Sequence, residues 1–198
     1  MKKIMMLIVA TFCLCAAYAQ RPAGKPMSDE KTQSEVQTKV RTILTELSLK
    51  DKQKSKALEA VLKKRLMSLY KIQAAYEKTV KFATDSMDED RRAHIIQNVG
   101  NRRMANLYKE HFVFEAELRA CLEGEEVEQV KEIMTAHEFS KHINALPTTL
   151  PNFTETQKKY AIERLKAARE YALDTISPAA ILQCFDEAMS EIKNSEIP

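Results

Sequence analysis

The apolar residues of this chain recur at helical spacing over most of its length. Between Val36 and Leu47 they fall three or four positions apart, and a longer run of the same kind extends from Leu58 to Tyr76. This spacing places apolar side chains on one face of a helix. No stretch alternates between apolar and polar residues as a half-buried strand does, and only three glycines occur in 198 residues. The sequence therefore predicts an all-α protein.

Further helices are indicated by the same spacing and by local start signals. A third apolar stripe runs from Ile95 to Leu118, and a fourth from Val127 to Met134. Thr154 with Gln157 three residues later forms a capping box, and Ser177-Pro178 is typical of the start of a last helix. Residues 135–149 lose the periodicity and contain Pro147, so no helix is predicted there. We expect a bundle of five to six helices with long antiparallel hairpins.

The first 30 residues are predicted to precede the folded domain. Lys2 and Lys3 are followed by a short apolar run and by Ala17-Tyr18-Ala19, the pattern of a signal peptide with cleavage before Gln20. Residues 20–30 contain Pro22, Gly24 and Pro26 among polar residues, which is typical of a flexible leader. We therefore predict a signal peptide at 1–19, a leader at 20–30 and a single helical domain at 31–198, secreted and located in the periplasm, with no membrane span in the mature chain.

Charge and cysteine content restrict the class of partner. The chain has 31 basic and 28 acidic residues, and removal of Lys2 and Lys3 leaves 29 basic residues, a net charge near +1. A nearly neutral chain lacks the general positive field that attracts nucleic acid, so no nucleic-acid partner is expected. Cys121 and Cys184 would remain in an oxidising compartment, where either a disulfide or two buried free thiols are open alternatives.

Motifs for catalysis or metal binding are not found at working spacing. The segment from His137 to His142 resembles a zinc-protease helix, but its histidines are five residues apart rather than four, which turns them away from each other. Neither a glycine-rich phosphate loop nor a nucleophile elbow occurs. We therefore predict no metal site, no cofactor and no enzymatic activity. The alternative class is a glycan-acting enzyme whose carboxylates come together only in the folded chain.

Two helices carry polar groups beside apolar stripes. His111 lies one turn from Phe114 on the third helix, where a lone histidine is commonly a hydrogen-bonded core residue. Arg169, Glu170 and Asp174 cluster near the end of a later helix, where ion pairs with a neighbouring helix are the structural alternative to a ligand site. We expect these four residues to approach one another across the two helices.

Several stretches resemble a bacterial secreted family described as sugar-binding. They are Leu47 to Asp51, the spaced residues His111, Phe114, Leu118 and Leu122, Glu125 to Met134, Leu150-Pro-Asn-Phe-Thr154 and Ala168-Arg-Glu-Tyr-Ala-Leu-Asp174. The sequence departs from the family pattern between Ala136 and Thr149, where relatives carry Tyr, Gly and Val residues.

The resemblance implies carbohydrate binding, or accessory work in polysaccharide use, within the cell envelope. Sugar sites combine an aromatic ring with carboxylate, amide or arginine groups, and without tryptophan the candidate platforms are Tyr108, Phe153, Tyr160 and Tyr171. The ligand-binding candidates in the matched stretches are His111, Asn152, Arg169, Glu170, Tyr171 and Asp174.

A second resemblance implies a different function. Phe153-Thr-Glu-Thr-Gln157 and Leu49-Lys-Asp-Lys-Gln53 are similar to the Leu-Thr-x-x-Gln motifs of small periplasmic helical chaperones and envelope-stress adaptors, which bind unfolded clients. The same short motif also serves as a helix cap. A chaperone that binds envelope proteins is therefore the alternative function.

Overall fold

Seven helices make up the part of the chain that the computed structural model describes, residues 29–195. They are α1 (Asp29–Leu47), α2 (Lys52–Ser86), α3 (Glu89–Cys121), α4 (Gly124–Met134), α5 (Glu138–Thr149), α6 (Glu155–Ala172) and α7 (Pro178–Lys193). No strand occurs among these residues. The predicted all-α class is confirmed, with one helix more than the upper estimate.

The additional helix is α5, in the segment where the sequence analysis predicted none. Phe139, Ile143 and Leu146 are spaced at i, i+4 and i+7 and pack against the core around α6 and α7. This burial outweighs the backbone hydrogen bond that Pro147 removes near the end of the helix. The preceding corner is tight, because Ala136 and His137 both have positive φ angles, of 55° and 60°.

The N-terminal boundary of the domain also differs slightly from the prediction. α1 begins at Asp29, two residues before the predicted start of the domain at residue 31. The predicted signal peptide at 1–19, the leader residues 20–28 and the last three residues, 196–198, lie outside the described residues.

α2 and α3 form the long antiparallel hairpin that the sequence predicted. Asp51 and Asp88 cap their first turns, each side-chain oxygen accepting a hydrogen bond from a backbone N–H group. Three side-chain contacts at successive levels align the two helices, and they join Lys64 to Glu117, Ser68 to Glu110, and Gln73 to Arg103.

The described helices bury two separate hydrophobic cores. The first is built from α1, the N-terminal half of α2, the C-terminal half of α3, and α4, with Leu58, Leu62 and Phe114 at its centre. The second is built from α5, α6 and α7 around Leu165 and Phe185. α6 begins with the predicted Thr154–Gln157 capping box, and Ser177 and Pro178 occupy the predicted positions at the start of α7. The fold therefore has a seam where α6 faces α2, α3 and α4.

Cys121 and Cys184 are not joined to each other by a disulfide. Cys121 is half-buried beside the first core, and its thiol faces the carbonyl of Leu118 at 3.4 Å. Cys184 is buried within the second core. Of the two alternatives left open by the sequence, the disulfide between these two cysteines is not formed. None of the described helices has the length and apolar character needed to cross a bilayer.

Candidate functional site

The end of α6 carries three of the predicted site residues into the seam between the two cores. Leu165, Ala168 and Ala172 hold one face of α6 in the second core. Arg169 and Glu170 lie on other faces of the same turns, and Asp174 follows in the turn after the helix. Because the apolar face is anchored, these polar groups are directed toward α2, α3 and α4.

His111 meets Asp174 across the seam, as the sequence analysis expected. Its Nδ1 lies 3.0 Å from Asp174 Oδ1, and its Nε2 lies 3.6 Å from Glu170 Oε2. The same Asp174 oxygen accepts a hydrogen bond from Arg65 Nη2, which also donates to the carbonyl of Leu173 at 3.1 Å. The guanidinium of Arg65 lies over the ring of Phe114, 5.2 Å from its centroid. The imidazole is therefore held by a carboxylate that is itself fixed by a buried arginine.

Lys131 joins two carboxylates from different helices. Its ammonium lies 2.6 Å from Glu115 Oε1 on α3 and 3.0 Å from both carboxylate oxygens of Glu170 on α6. Burial raises the pKa of Glu115, but the hydrogen bond and charge of Lys131 outweigh burial and hold this pKa below the ordinary value. Glu115 is therefore ionised at neutral pH.

Arg169 links α6 to α4 and α5. It donates through Nη2 to Glu128 and through Nη1 to Glu132 at 3.5 Å. Its guanidinium also lies 4.8 Å from the ring centroid of Phe139. A planar cation that stacks on a ring and bonds two carboxylates has little freedom to move. Arg169 thus fixes the outward-facing acidic side of α4.

These contacts form one continuous group of charged residues, which we call the seam network. It joins the two cores, since α2, α3 and α4 contribute from the first and α6 from the second. Junctions between packed units are frequent ligand-binding positions in proteins. The members of the seam network are Arg65, His111, Glu115, Glu128, Lys131, Glu132, Arg169, Glu170 and Asp174.

An exposed aromatic pair lies beside the seam network on α3. Tyr108 and Phe112 are 68% and 56% exposed, and their rings meet edge to face with centroids 4.7 Å apart. Phe112 is also in edge contact with the imidazole of His111, at 6.1 Å between ring centroids. Two adjacent large aromatic side chains left in solvent are unusual without a partner to cover them. They place exposed apolar surface next to the polar groups.

The same residues include one set with metal-ligand geometry. One ligand atom from each of His111, Glu115 and Glu170 lies within 4.8 Å of the others. The ammonium of Lys131, however, lies between the two glutamates and already supplies their positive charge. A metal ion at this position would have to displace Lys131.

Two predicted candidates lie outside the seam network. Asn152 precedes the first turn of α6 and is exposed, more than ~20 Å along the helix from Glu170. Tyr171 is partly exposed, at the same end of α6 as Glu170. The structure therefore brings together His111, Arg169, Glu170 and Asp174, and it separates Asn152 from them.

α1 and α2 form a cleft away from the seam network. It encloses about 310 Å³ and is open to solvent. Its lining combines apolar and charged side chains, namely Gln37, Val40, Arg41, Leu44, Thr45 and Glu59.

The sequence analysis did not identify the basic residues that organise the site. Arg65 and Lys131 both lie next to apolar stripe positions, Arg65 between Leu62 and Leu66, and Lys131 beside Val130. A basic residue beside an apolar stripe indicates a side chain that is buried and paired with a carboxylate.

Comparison with known proteins gives a family but no characterised relative. No curated protein matches the chain. A family model described as a protein of unknown function, DUF3826, matches residues 33–194, which includes all seven helices almost completely. By this match over most of its length, the chain belongs to the DUF3826 family of proteins of unknown function.

Proposed function

We propose that this protein binds carbohydrate at the seam network. The observation that carries the proposal is the exposed pair of Tyr108 and Phe112 beside the polar groups of His111, Glu170 and Asp174. The C–H face of a sugar ring packs on an aromatic surface, while its hydroxyl groups donate hydrogen bonds to carboxylates. Both elements lie on neighbouring parts of α3 and α6.

The contacts of the seam network favour carbohydrate binding over glycoside hydrolysis. Glycoside hydrolysis requires one carboxyl group that is protonated at working pH. Glu115 and Glu170 both bond to the ammonium of Lys131, and the lowered pKa of Glu115 keeps this group ionised. These contacts support an accessory protein rather than an enzyme. Release of sugars from a polysaccharide by the purified protein, lost on Glu170→Ala or Asp174→Ala, would contradict this part of the proposal.

The signal-peptide pattern at residues 1–19 supports a place of action in the cell envelope. We therefore propose a secreted, periplasmic accessory protein for polysaccharide use, with carbohydrate as its ligand. Detection of the processed chain, beginning at Gln20, in a periplasmic fraction is the expected result. An unprocessed chain retained in the cytoplasm would contradict the proposed location.

A glycan array followed by calorimetric titration of each hit tests the proposed function. The double variant Tyr108→Ala/Phe112→Ala should keep the melting temperature of the parent, because both side chains are exposed, and should lose binding by at least about tenfold. Phe82→Ala is the matched control, since Phe82 is also exposed but lies near the tip of the α2–α3 hairpin. Equal binding by the double variant and the parent would place the ligand elsewhere.

The alternative function, binding of unfolded envelope proteins, makes a different prediction in the same preparation. An array without hits, together with suppression of the aggregation of a reduced client protein, would replace the carbohydrate proposal. Such clients would use exposed Phe82 and the half-buried Leu44 in the α1–α2 cleft.

A further inference from the structure

The charges of the seam network are sorted by depth. The cations Arg65, Lys131 and Arg169 are 1%, 5% and 6% exposed, whereas the carboxylates of Glu128 and Glu170 are 51% and 33% exposed. The other carboxylates, of Asp174, Glu132 and Glu115, are 14%, 16% and 17% exposed. The three cations therefore lie deepest, and Glu128 and Glu170 are the carboxylates that face solvent. Arg119 lies one turn beyond Glu115 on α3, is 60% exposed and pairs with Glu115.

The buried cations hold the outer carboxylates in fixed positions. Arg169 bonds Glu128, and Lys131 bonds both oxygens of Glu170, so each carboxylate keeps its remaining lone pairs for groups arriving from solvent. Within α4, Oε2 of Glu132 is a buried acceptor with no hydrogen-bond donor among the described residues. The buried donors Arg65 Nε, Arg65 Nη1 and Arg169 Nε also lack an acceptor among these residues. The groups of the seam network that reach farthest into solvent are nevertheless the carboxylates of Glu128 and Glu170, which are acceptors held in place before any ligand arrives.

We propose that the sugar bound at this site carries a protonated amine, as in a deacetylated hexosamine. An ammonium group offers three donors and a positive charge to the outer carboxylates, while the aromatic pair of Tyr108 and Phe112 covers the apolar face of the ring. N-acetylation removes both the charge and two of the donors, and a uronate adds a negative charge that these carboxylates repel. This inference rests on the proposed function and narrows its ligand class.

Calorimetric titration with chitosan, chitin and galacturonan oligosaccharides of equal length tests the inference in a mildly acidic buffer. The expected affinity for the chitosan oligosaccharide is about tenfold higher than for chitin, and it should fall as salt is added because the attraction is between charges. Glu128→Gln should weaken chitosan binding severalfold and weaken chitin binding by a smaller factor, because only chitosan loses an attraction between charges. Glu155→Gln is the control, since Glu155 is exposed at the opposite end of α6.

The outcomes separate this inference from the proposed function. Chitin or galacturonan bound as tightly as chitosan would overturn the requirement for an amine while leaving carbohydrate binding in place. Binding of a neutral glycan through Tyr108 and Phe112, without detectable binding of chitosan, would also overturn the requirement for an amine and leave carbohydrate binding in place. Failure of every tested glycan to bind would overturn both.

Discussion

At the scale of single residues, the site depends on cations that are buried and carboxylates that hold them. Arg65 is almost completely removed from solvent, and burial lowers its pKa while the charge of Asp174 opposes that shift. A buried ion pair contributes little net stability, but removal of one partner leaves an uncompensated charge in the interior. The same carboxylate orients His111, so stability and site geometry depend on one residue.

Asp174→Asn should therefore destabilise the protein by about 3–5 kcal/mol, because Arg65 loses its charged partner in a buried position. Urea unfolding followed by circular dichroism measures the change. Glu163→Gln, which breaks an exposed pair with Lys166, should change the free energy of unfolding by less than about 1 kcal/mol. A loss of similar size in both variants would show that the Arg65–Asp174 pair is not a structural requirement.

A pH dependence follows from Glu115. Its folded-state pKa lies below the ordinary value of 4.5, so its contribution to stability is present above that value and is lost as the pH falls through the folded-state pKa. Unfolding free energies measured at several values between about pH 6 and pH 3 should show a smaller acid-induced loss for Glu115→Gln than for the parent. Parallel curves for the two proteins would contradict the assigned role of Lys131.

At the scale of elements, α4 is one of the three helices that link the first core to α6. Its apolar residues Val127 and Val130 pack in the first core, while Lys131 reaches across to Glu170 on α6. One face of α4 therefore packs in the first core, and its charged side chains form ion pairs with α6. α4 ends at the tight corner of Ala136 and His137, where His137 Nε2 lies 2.5 Å from Glu46 Oε1 on α1.

Lys131→Met should expose a metal-binding capacity that the ammonium masks. Glu115 and Glu170 would lose their shared cation. The free energy of unfolding of Lys131→Met should therefore be about 3–5 kcal/mol lower than that of the parent. Zinc ions should then restore part of that stability through His111, Glu115 and Glu170, by about 2–3 kcal/mol at a hundredfold excess over the dissociation constant.

Thermal melts with and without zinc, reversed by a chelator, measure this effect. The parent protein should show no such stabilisation, because Lys131 occupies the position, and Lys131→Met/His111→Ala should lose the response. An equal zinc effect in the parent and in Lys131→Met would show that Lys131 does not control the site.

At the scale of the whole molecule, the fold could be predicted from the sequence because helical periodicity is a local signal. The stripes of α2 and α3, with their apolar residues from Leu58 to Leu118, predicted the hairpin directly. α5 was missed because Pro147 is locally unfavourable in a helix, and only the packing of its apolar face on α6 and α7 compensates for that.

Only part of the candidate site could be predicted from the sequence. His111, Glu170 and Asp174 were predicted to converge because polar groups on apolar stripes require partners. The partners Arg65 and Lys131 come from helices distant in sequence, so no local pattern pairs them with α6. Asn152 was included for its place in a matched stretch, and the length of α6 separates it from the others.

The central claim is that carbohydrate binds where the two cores meet. Backbone amide chemical shifts in the ¹⁵N-labelled mature protein, recorded during titration with a glycan that binds, test this claim most directly. The largest changes should fall at residues 108–115 of α3 and 169–174 at the end of α6, together with their partners on α4. Changes confined to the α1–α2 cleft, or to the hairpin tip around Phe82, would contradict it.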